Sequence, residues 1–245
     1  MPSLAESCII PDWPAPARVR ACVTTRAGGV SVGPFTSLNL GDHVGDDPQA
    51  VAENRRRLVA ALGCRPAWLR QVHGIRVVEA DPAQVAEADG CWTAAPGIAC
   101  SSMTADCLPV LFCDRAGSRV AAAHAGWRGL AGGVLEATLE ALALPAEQVL
   151  AWLGPAIGPQ AFEVGPEVRE AFLASHPEAA QAFVASHNPG KFLADLYQLA
   201  RIRLAARGIT AVYGGGFCTF SDPRFFSYRR AARTGRFASL VWLQP

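Results

Sequence analysis

Three near-continuous apolar runs, 98–104, 109–113 and 119–125, follow one another with only short breaks and lead directly into a helical pattern over 127–143. Strands apolar on both faces must be covered on both faces. A chain carrying three of them in sequence cannot be a one-layer sheet, and the helix that follows points to a mixed α and β architecture. The flanks agree. Strands are predicted at 19–25, 68–73, 75–80, 149–153, 209–213 and 237–243, with the second and third joined at Gly74. Asp47 followed by Pro48 predicts a helix N-terminus, and Gly63 predicts its end after Leu62. In the helix at 127–143, Leu135, Leu139 and Leu142 share one face. Further helices are predicted at 166–174, 178–186 and 192–207, the last stopped by Gly208. With 245 residues and no repeat, low-complexity tract or linker, the expectation is one domain over 1–245, residues 1–17 forming an N-terminal lead-in.

Charge and cysteine content narrow the function classes. Twenty-two basic against 21 acidic residues give no electrostatic reason to expect nucleic acid or an anionic membrane as partner. Of the basic residues 21 are arginines and only Lys191 is a lysine, a compositional skew that says nothing about function. The longest stretch free of charged side chains is the 16 residues 90–105, interrupted by Pro96, too short to span a bilayer. Residues 1–16 carry neither a basic n-region nor an apolar h-region, so a cytoplasmic, reducing setting is expected; a monomer is expected separately, without a sequence feature that fixes it. The eight cysteines, with no CxxC pair, are then mostly small buried hydrophobes rather than disulfides or zinc ribbons.

Chemistry is expected at three places. His73 sits in Gln71-Val72-His73-Gly74 at a strand end. Asp106-Cys107 interrupts two buried strands, where an unpaired carboxylate would be expensive. His124, in Ala123-His124-Ala125-Gly126-Trp127-Arg128-Gly129, ends a strand just before a helix, where α/β sheets assemble their sites. Two imidazoles and a thiolate suffice for a zinc site with one open position. They also suit a cysteine nucleophile at Cys107 with His124 as base and Asp106 as orienter. Separations of 34 and 17 residues decide nothing between these, or between either and satisfied structural histidines. Five histidines without a His-x-His pair are too few for a multicopper oxidase. His43, between Gly41 and Gly45, reads as supporting structure rather than a ligand. Arg26, Arg128, Arg229 and Arg230 border the same loops and could clamp an oxyanion.

Taken together, Thr25-Arg26-Ala27-Gly28-Gly29-Val30-Ser31, Ser37-Leu38-Asn39-Leu40-Gly41, Gln71-Val72-His73-Gly74, Ala88-Asp89-Gly90, Thr104-Ala105-Asp106-Cys107-Leu108-Pro109-Val110, His124-Ala125-Gly126-Trp127-Arg128-Gly129-Leu130, Leu153-Gly154-Pro155-Ala156-Ile157-Gly158-Pro159 and Phe226-Ser227-Tyr228-Arg229-Arg230 resemble the YfiH-type family from about residue 20 onward. That family was once described as multicopper polyphenol oxidoreductases or laccase-like proteins and is now described as purine nucleoside phosphorylases, with a further link to peptidoglycan editing. The resemblance implies an α+β fold, an αββα sandwich of two mixed sheets flanked by helices. It implies zinc, in preference to copper, on His73, Cys107 and His124. It implies phosphorolysis of adenosine, inosine, guanosine and methylthioadenosine, with deamination of adenosine besides. Beside it stand a cysteine hydrolase and a laccase-like oxidoreductase as alternatives. In this reading His73, Cys107, His124 and Asp106 are the catalytic set, Asp106 orienting the site, and Arg26, Asn39, Arg128 and Arg229 contact substrate or phosphate.

Overall fold

In the computed structural model, which describes Leu4 and residues 6–245, the apolar runs become the central strands of two stacked sheets. In chain order, the strands of these sheets are β1 (Val19–Val23), β2 (Arg65–Ala67), β3 (Val77–Glu79), β4 (Gly90–Thr93), β5 (Ile98–Thr104), β6 (Leu108–Asp114), β7 (Val120–Ala125), β8 (Val149–Leu153), β9 (Val212–Gly214) and β10 (Phe237–Leu243). One sheet has the order β1-β10-β5-β2 and the other β9-β8-β6-β7-β4-β3. Both are mixed: β2 with β5, β3 with β4 and β8 with β9 run parallel, and the remaining pairs antiparallel.

The period of two along each strand divides the apolar residues between layers. Between the sheets, Val23, Cys100, Phe237 and Val241 meet Cys91, Leu111, Cys113, Val120, Ala122, Leu150 and Trp152. The alternate residues of the larger sheet, among them Val110, Phe112, Ala121, Ala123 and Leu153, face helices α2 (Trp127–Gly132), α3 (Val134–Leu142), α4 (Pro166–Leu173) and α5 (Leu196–Ala206). Those of the smaller sheet, with Cys22, Ala99, Met103 and Leu240, pack against Leu58 of α1 (Pro48–Leu62). Helices therefore cover both outer faces, which is the αββα arrangement.

α1 follows its sequence signals. The Asp47 carboxylate accepts the amide of Gln49 at 2.9 Å, Pro48 opens the helix, and Gly63 closes it with φ +67°. Elsewhere the boundaries differ for identifiable reasons. The single helix expected over 127–143 is two, because Gly133 takes φ +107° and turns the chain between α2 and α3. The helix expected over 178–186 is a 3₁₀ turn, Pro177–Ala182, followed by a strand, Phe183–Ala185. That strand pairs with Phe192–Ala194, so the helix expected from 192 starts only at Leu196. Asp195 sets that start by accepting the amides of Tyr197 and Gln198. The strand expected over 209–213 is confined to β9, and β2 and β4 are additional to the elements expected. The strands expected at 68–73 and 75–80 do not pair with each other. Leu69–Arg70 runs beside Ala86–Glu87, and β3 beside β4. Residues 1–3 and 5 of the N-terminal lead-in lie outside the described residues. Further along it, Ile9 bridges to Val23, and Trp13 and Ala15 pack against the inter-sheet core.

Candidate metal centre and active-site cavity

The side chains of His73, Cys107 and His124 converge where β7 ends and the β5–β6 turn begins, their ligand atoms all within 4.8 Å of one another. His124 is the penultimate residue of β7 and is buried. Cys107 lies in the turn that Asp106 shapes with φ +100°. His73 also adopts a left-handed backbone, φ +62°, unusual for a side-chain-bearing residue. Cys107 Sγ lies 3.7 Å from His73 Nε2. Thiolate and imidazole ligands on one tetrahedral zinc stand about 3.6 Å apart, from bond lengths near 2.3 and 2.05 Å. The donor set and its spacing thus fit a metal ion such as zinc. The two imidazoles meet edge to face at 4.8 Å between ring centroids.

The carboxylate that organises these groups is Asp89, fully buried. Its Oδ1 accepts His124 Nδ1 at 2.8 Å and the His73 amide at 2.9 Å; its Oδ2 accepts the Gly74 amide at 2.7 Å and the Val72 amide at 3.2 Å. This explains why 68–80 is no hairpin: Asp89 gathers three consecutive amides and holds His73 in its strained turn. With Nδ1 engaged, His124 presents Nε2 to a metal, the usual role of a ligand's carboxylate partner. Burial alone would raise the Asp89 carboxyl, but His124 and the amides outweigh it and hold it below the ordinary carboxylate range. In the metal-free protein, burial works to raise the Cys107 thiol, yet His124 and His73 bring it down to about 6. Burial opposes charge on His124, but the thiolate and Asp89 lift it to about 9. Both shifts favour a thiolate beside an imidazolium in the metal-free site.

Asp106, expected to orient the site, is hydrogen-bonded to neither histidine. Its carboxylate accepts Thr219 Oγ1 and the Arg229 amide, both at 2.6 Å, and its carbonyl accepts the Ile157 amide at 2.9 Å. It fastens three loops around the turn that presents Cys107. The signal for Asp89 lay in Ala88-Asp89-Gly90, an acid among small residues, and was not read as functional.

The three donors open into a cavity of about 360 Å³, also lined by His43, Gln71, Met103, Phe162, Tyr228, Arg229 and Arg236. Of the arginines expected to bind phosphate, only Arg229 lines it. Its guanidinium is tied to the carbonyls of Ala161 and Glu163 and lies over Phe162, bracing the wall. Arg26 bonds the Thr36 carbonyl and stacks on Phe226; Arg128 stacks on Trp127. Arg230, pinned by the carbonyls of Thr219, Phe220 and Phe225, also stands outside the cavity lining. Asn39 is buried, and its amide is saturated: Nδ2 donates to the Gly41 carbonyl and Asp46, while Oδ1 accepts the amides of Gly41 and Arg236. No hydrogen-bonding capacity remains for a substrate. It holds the 39–46 loop, with His43, against Arg236.

Arg236 is the arginine that sequence reading missed. Its Nη1 donates to the carbonyls of Thr234 and Gly235, which fixes the guanidinium at the cavity wall. Burial works against its charge, and Cys107 and Asp106 nearby partly restore it. No local motif marks it, because its amide is held by Asn39, 197 residues away in sequence. Of the other cysteines, Cys22, Cys64, Cys91, Cys100 and Cys113 are buried, as expected for packing residues.

Comparison with known proteins agrees with this architecture. A family profile described as multi-copper polyphenol oxidoreductase laccase matches residues 20–244. A Pseudomonas aeruginosa protein named purine nucleoside phosphorylase is 72% identical over 96% of this chain and 98% of its own. The Escherichia coli purine nucleoside phosphorylase YfiH is 56% identical over the same shares. The crystal structure of a Neisseria meningitidis protein superposes with a TM-score of 0.95 at 53% identity, covering 98% of this chain and 100% of that one. The chain belongs to the YfiH family, the family of that laccase profile, whose named relatives are called purine nucleoside phosphorylases.

Proposed function

We propose that the protein is a zinc-dependent purine nucleoside phosphorylase that acts on adenosine, inosine, guanosine and methylthioadenosine, releasing the free base and the sugar 1-phosphate. Deamination of adenosine is a side activity of the same cavity. The observation that carries this reading is one cavity holding both a three-donor metal cluster and a fixed guanidinium, Arg236. The relatives' names support it. The protein works as a single-domain cytoplasmic monomer on small molecules; among the described residues no helix is long and apolar enough to cross a membrane.

Phosphorolysis passes through an oxocarbenium-like sugar, so positioning and electrostatics dominate. When bound, zinc supplies Lewis-acid polarisation. Asp89 fixes the His124 ring and the His73 backbone in the places from which these residues would hold the ion. Arg236 holds phosphate at the wall with its remaining guanidinium donors, bidentately. Phe162 and Tyr228 offer aromatic faces to the purine. Incubating the metal-loaded protein with adenosine, with and without phosphate, tests the reading. Adenine formed only with phosphate is expected, together with some inosine in either mixture. Cys107→Ala should lose both metal and adenine release; full activity in that variant overturns the proposal.

One observation favours a second reading. Cys107, His124 and Asp89 stand in the order of a cysteine hydrolase triad, with Asp89 in the place sequence reading gave to Asp106. Such an enzyme works metal-free and dies on alkylation, whereas the metal reading requires that bound zinc protect Cys107 from the same reagent.

A further inference from the structure

Phosphorolysis of an unmodified purine nucleoside leaves a purine anion unless a proton reaches the ring as the glycosidic bond breaks. Of the groups already assigned, the metal donors, Asp106 and the arginines do not supply that proton. With the metal bound, His73, Cys107 and His124 would serve as its ligands; the Asp106 carboxylate is taken by Thr219 and the Arg229 amide, and guanidinium groups do not give up protons. Among the residues lining the cavity, His43 is the imidazole outside the metal cluster. It stands on the Gly41–Asp47 loop, which Asn39 staples internally and to the Arg236 amide, and Gly41 lies directly against the Arg236 side chain. The Asp42 carboxylate lies 3.4 Å from His43 Nδ1 and 3.4 Å from Arg55 Nη2; Arg55 itself bonds the Leu40 carbonyl and stacks on Trp68. Asp42 thereby occupies Nδ1 and leaves Nε2 for the cavity. Imidazole is the side chain suited to giving and regaining a proton near neutrality.

We propose that His43 is a catalytic residue of the phosphorolysis assigned above, the acid that protonates the departing purine, with Asp42 as its positioning residue. As the C1′–N9 bond breaks, its electron pair passes into the purine, and the proton on His43 Nε2 moves to a ring nitrogen. A phosphate oxygen forms the new bond to C1′. The resulting sugar phosphate releases its P–OH proton, which restores the imidazolium through solvent, so charge and protons balance over the cycle.

The inference rests on the phosphorylase reading, and the experiment separates the two. Guanosine and 7-methylguanosine are compared as substrates with phosphate, for wild type and His43→Gln, each loaded with zinc and assayed for metal content. The N7-methylated base is already cationic and departs neutral with no acid. His43→Gln should keep its zinc and lose about 10²-fold or more in kcat on guanosine with KM little changed, while turning over 7-methylguanosine at close to the wild-type rate. Asp42→Asn should show the same selectivity at smaller amplitude. Equal losses on both nucleosides, or no loss on guanosine, overturns the assignment of His43 while leaving the phosphorylase reading intact. A wild type that phosphorolyses neither nucleoside overturns both.

Discussion

Asp89 Oδ1 lies 2.8 Å from His124 Nδ1, and the same oxygen accepts the amide of His73 at 2.9 Å. One buried oxygen therefore fixes two of the three metal donors, one through its side chain and one through its backbone. Asp89→Asn keeps the shape but places an amide donor against these donors. Metal affinity should fall about 10- to 100-fold. The fold should lose about 1–3 kcal/mol, the cost of an unsatisfied buried donor. Chelator competition reads the first effect and thermal melting of the metal-free protein the second; unchanged affinity would show that His124 needs no carboxylate.

What the sequence disclosed and what it hid have the same cause. β5, β6 and β7 were legible because a two-sided covered strand leaves an unbroken apolar run, and α1 because its start and stop are written in adjacent residues. Phe183–Ala185 and Phe192–Ala194 were hidden because their strand state depends on pairing across a turn, which local helical propensity does not register. The site divides in the same way. The donors sit in conspicuous loops, and resemblance to a family brought them together where spacing could not. Asp89 and Arg236 owe their roles to partners 15 to 35 residues away for Asp89 and 197 for Arg236. Asp106 was expected to be a costly charge between buried strands; it is only part-buried, and its carboxylate is engaged by Thr219 and the Arg229 amide rather than by a histidine.

Thiol reactivity should report the apo site directly. With His124 and His73 lowering Cys107 to about 6, the thiolate persists at neutral pH and is lost only as pH falls through that value. In metal-free protein the iodoacetamide rate at Cys107 should stay on a plateau from pH 8 to 7 and decline below 6. Cys64 and Cys113, which burial pushes up to about 12, should remain unmodified throughout. Peptide mass mapping identifies the site, and added zinc should suppress the reaction. A rate at Cys107 that rises only above pH 8 would mean that the imidazoles do not stabilise the thiolate.

Gly126 gives a way to disturb the donors without touching one. Its φ of −62° suits any residue, but a Cβ there would stand 2.7 Å from His73 Cδ2 and 3.0 Å from Cys107 Sγ. Gly126→Ala must displace the ring, the sulfur or both. The expected result is a folded protein with unchanged circular dichroism that binds zinc at least about 10-fold more weakly, following the sensitivity of such sites to sub-ångström displacement. Wild-type zinc affinity in this variant would show that the three donors reposition freely.

Arg236 carries the last prediction because its proposed role separates the two substrates. Its amide is held by Asn39 and its Nη1 by two carbonyls, so the backbone and one guanidinium nitrogen are fixed before any anion arrives. Arg236→Met retains much of the apolar stem that packs at the wall but removes the charge. A charge-assisted hydrogen bond is worth about 1.5–3 kcal/mol, so KM for phosphate should rise about 10- to 100-fold. KM for inosine, measured at saturating phosphate, should change by less than about threefold if, as proposed, Phe162 and Tyr228 of the cavity wall rather than the guanidinium receive the purine. Arg26→Met, whose guanidinium is engaged by the Thr36 carbonyl and Phe226 away from the cavity lining, is the matched control and should leave both constants near wild type. A phosphate KM unmoved by Arg236→Met, or moved equally by Arg26→Met, would remove Arg236 from the phosphate site.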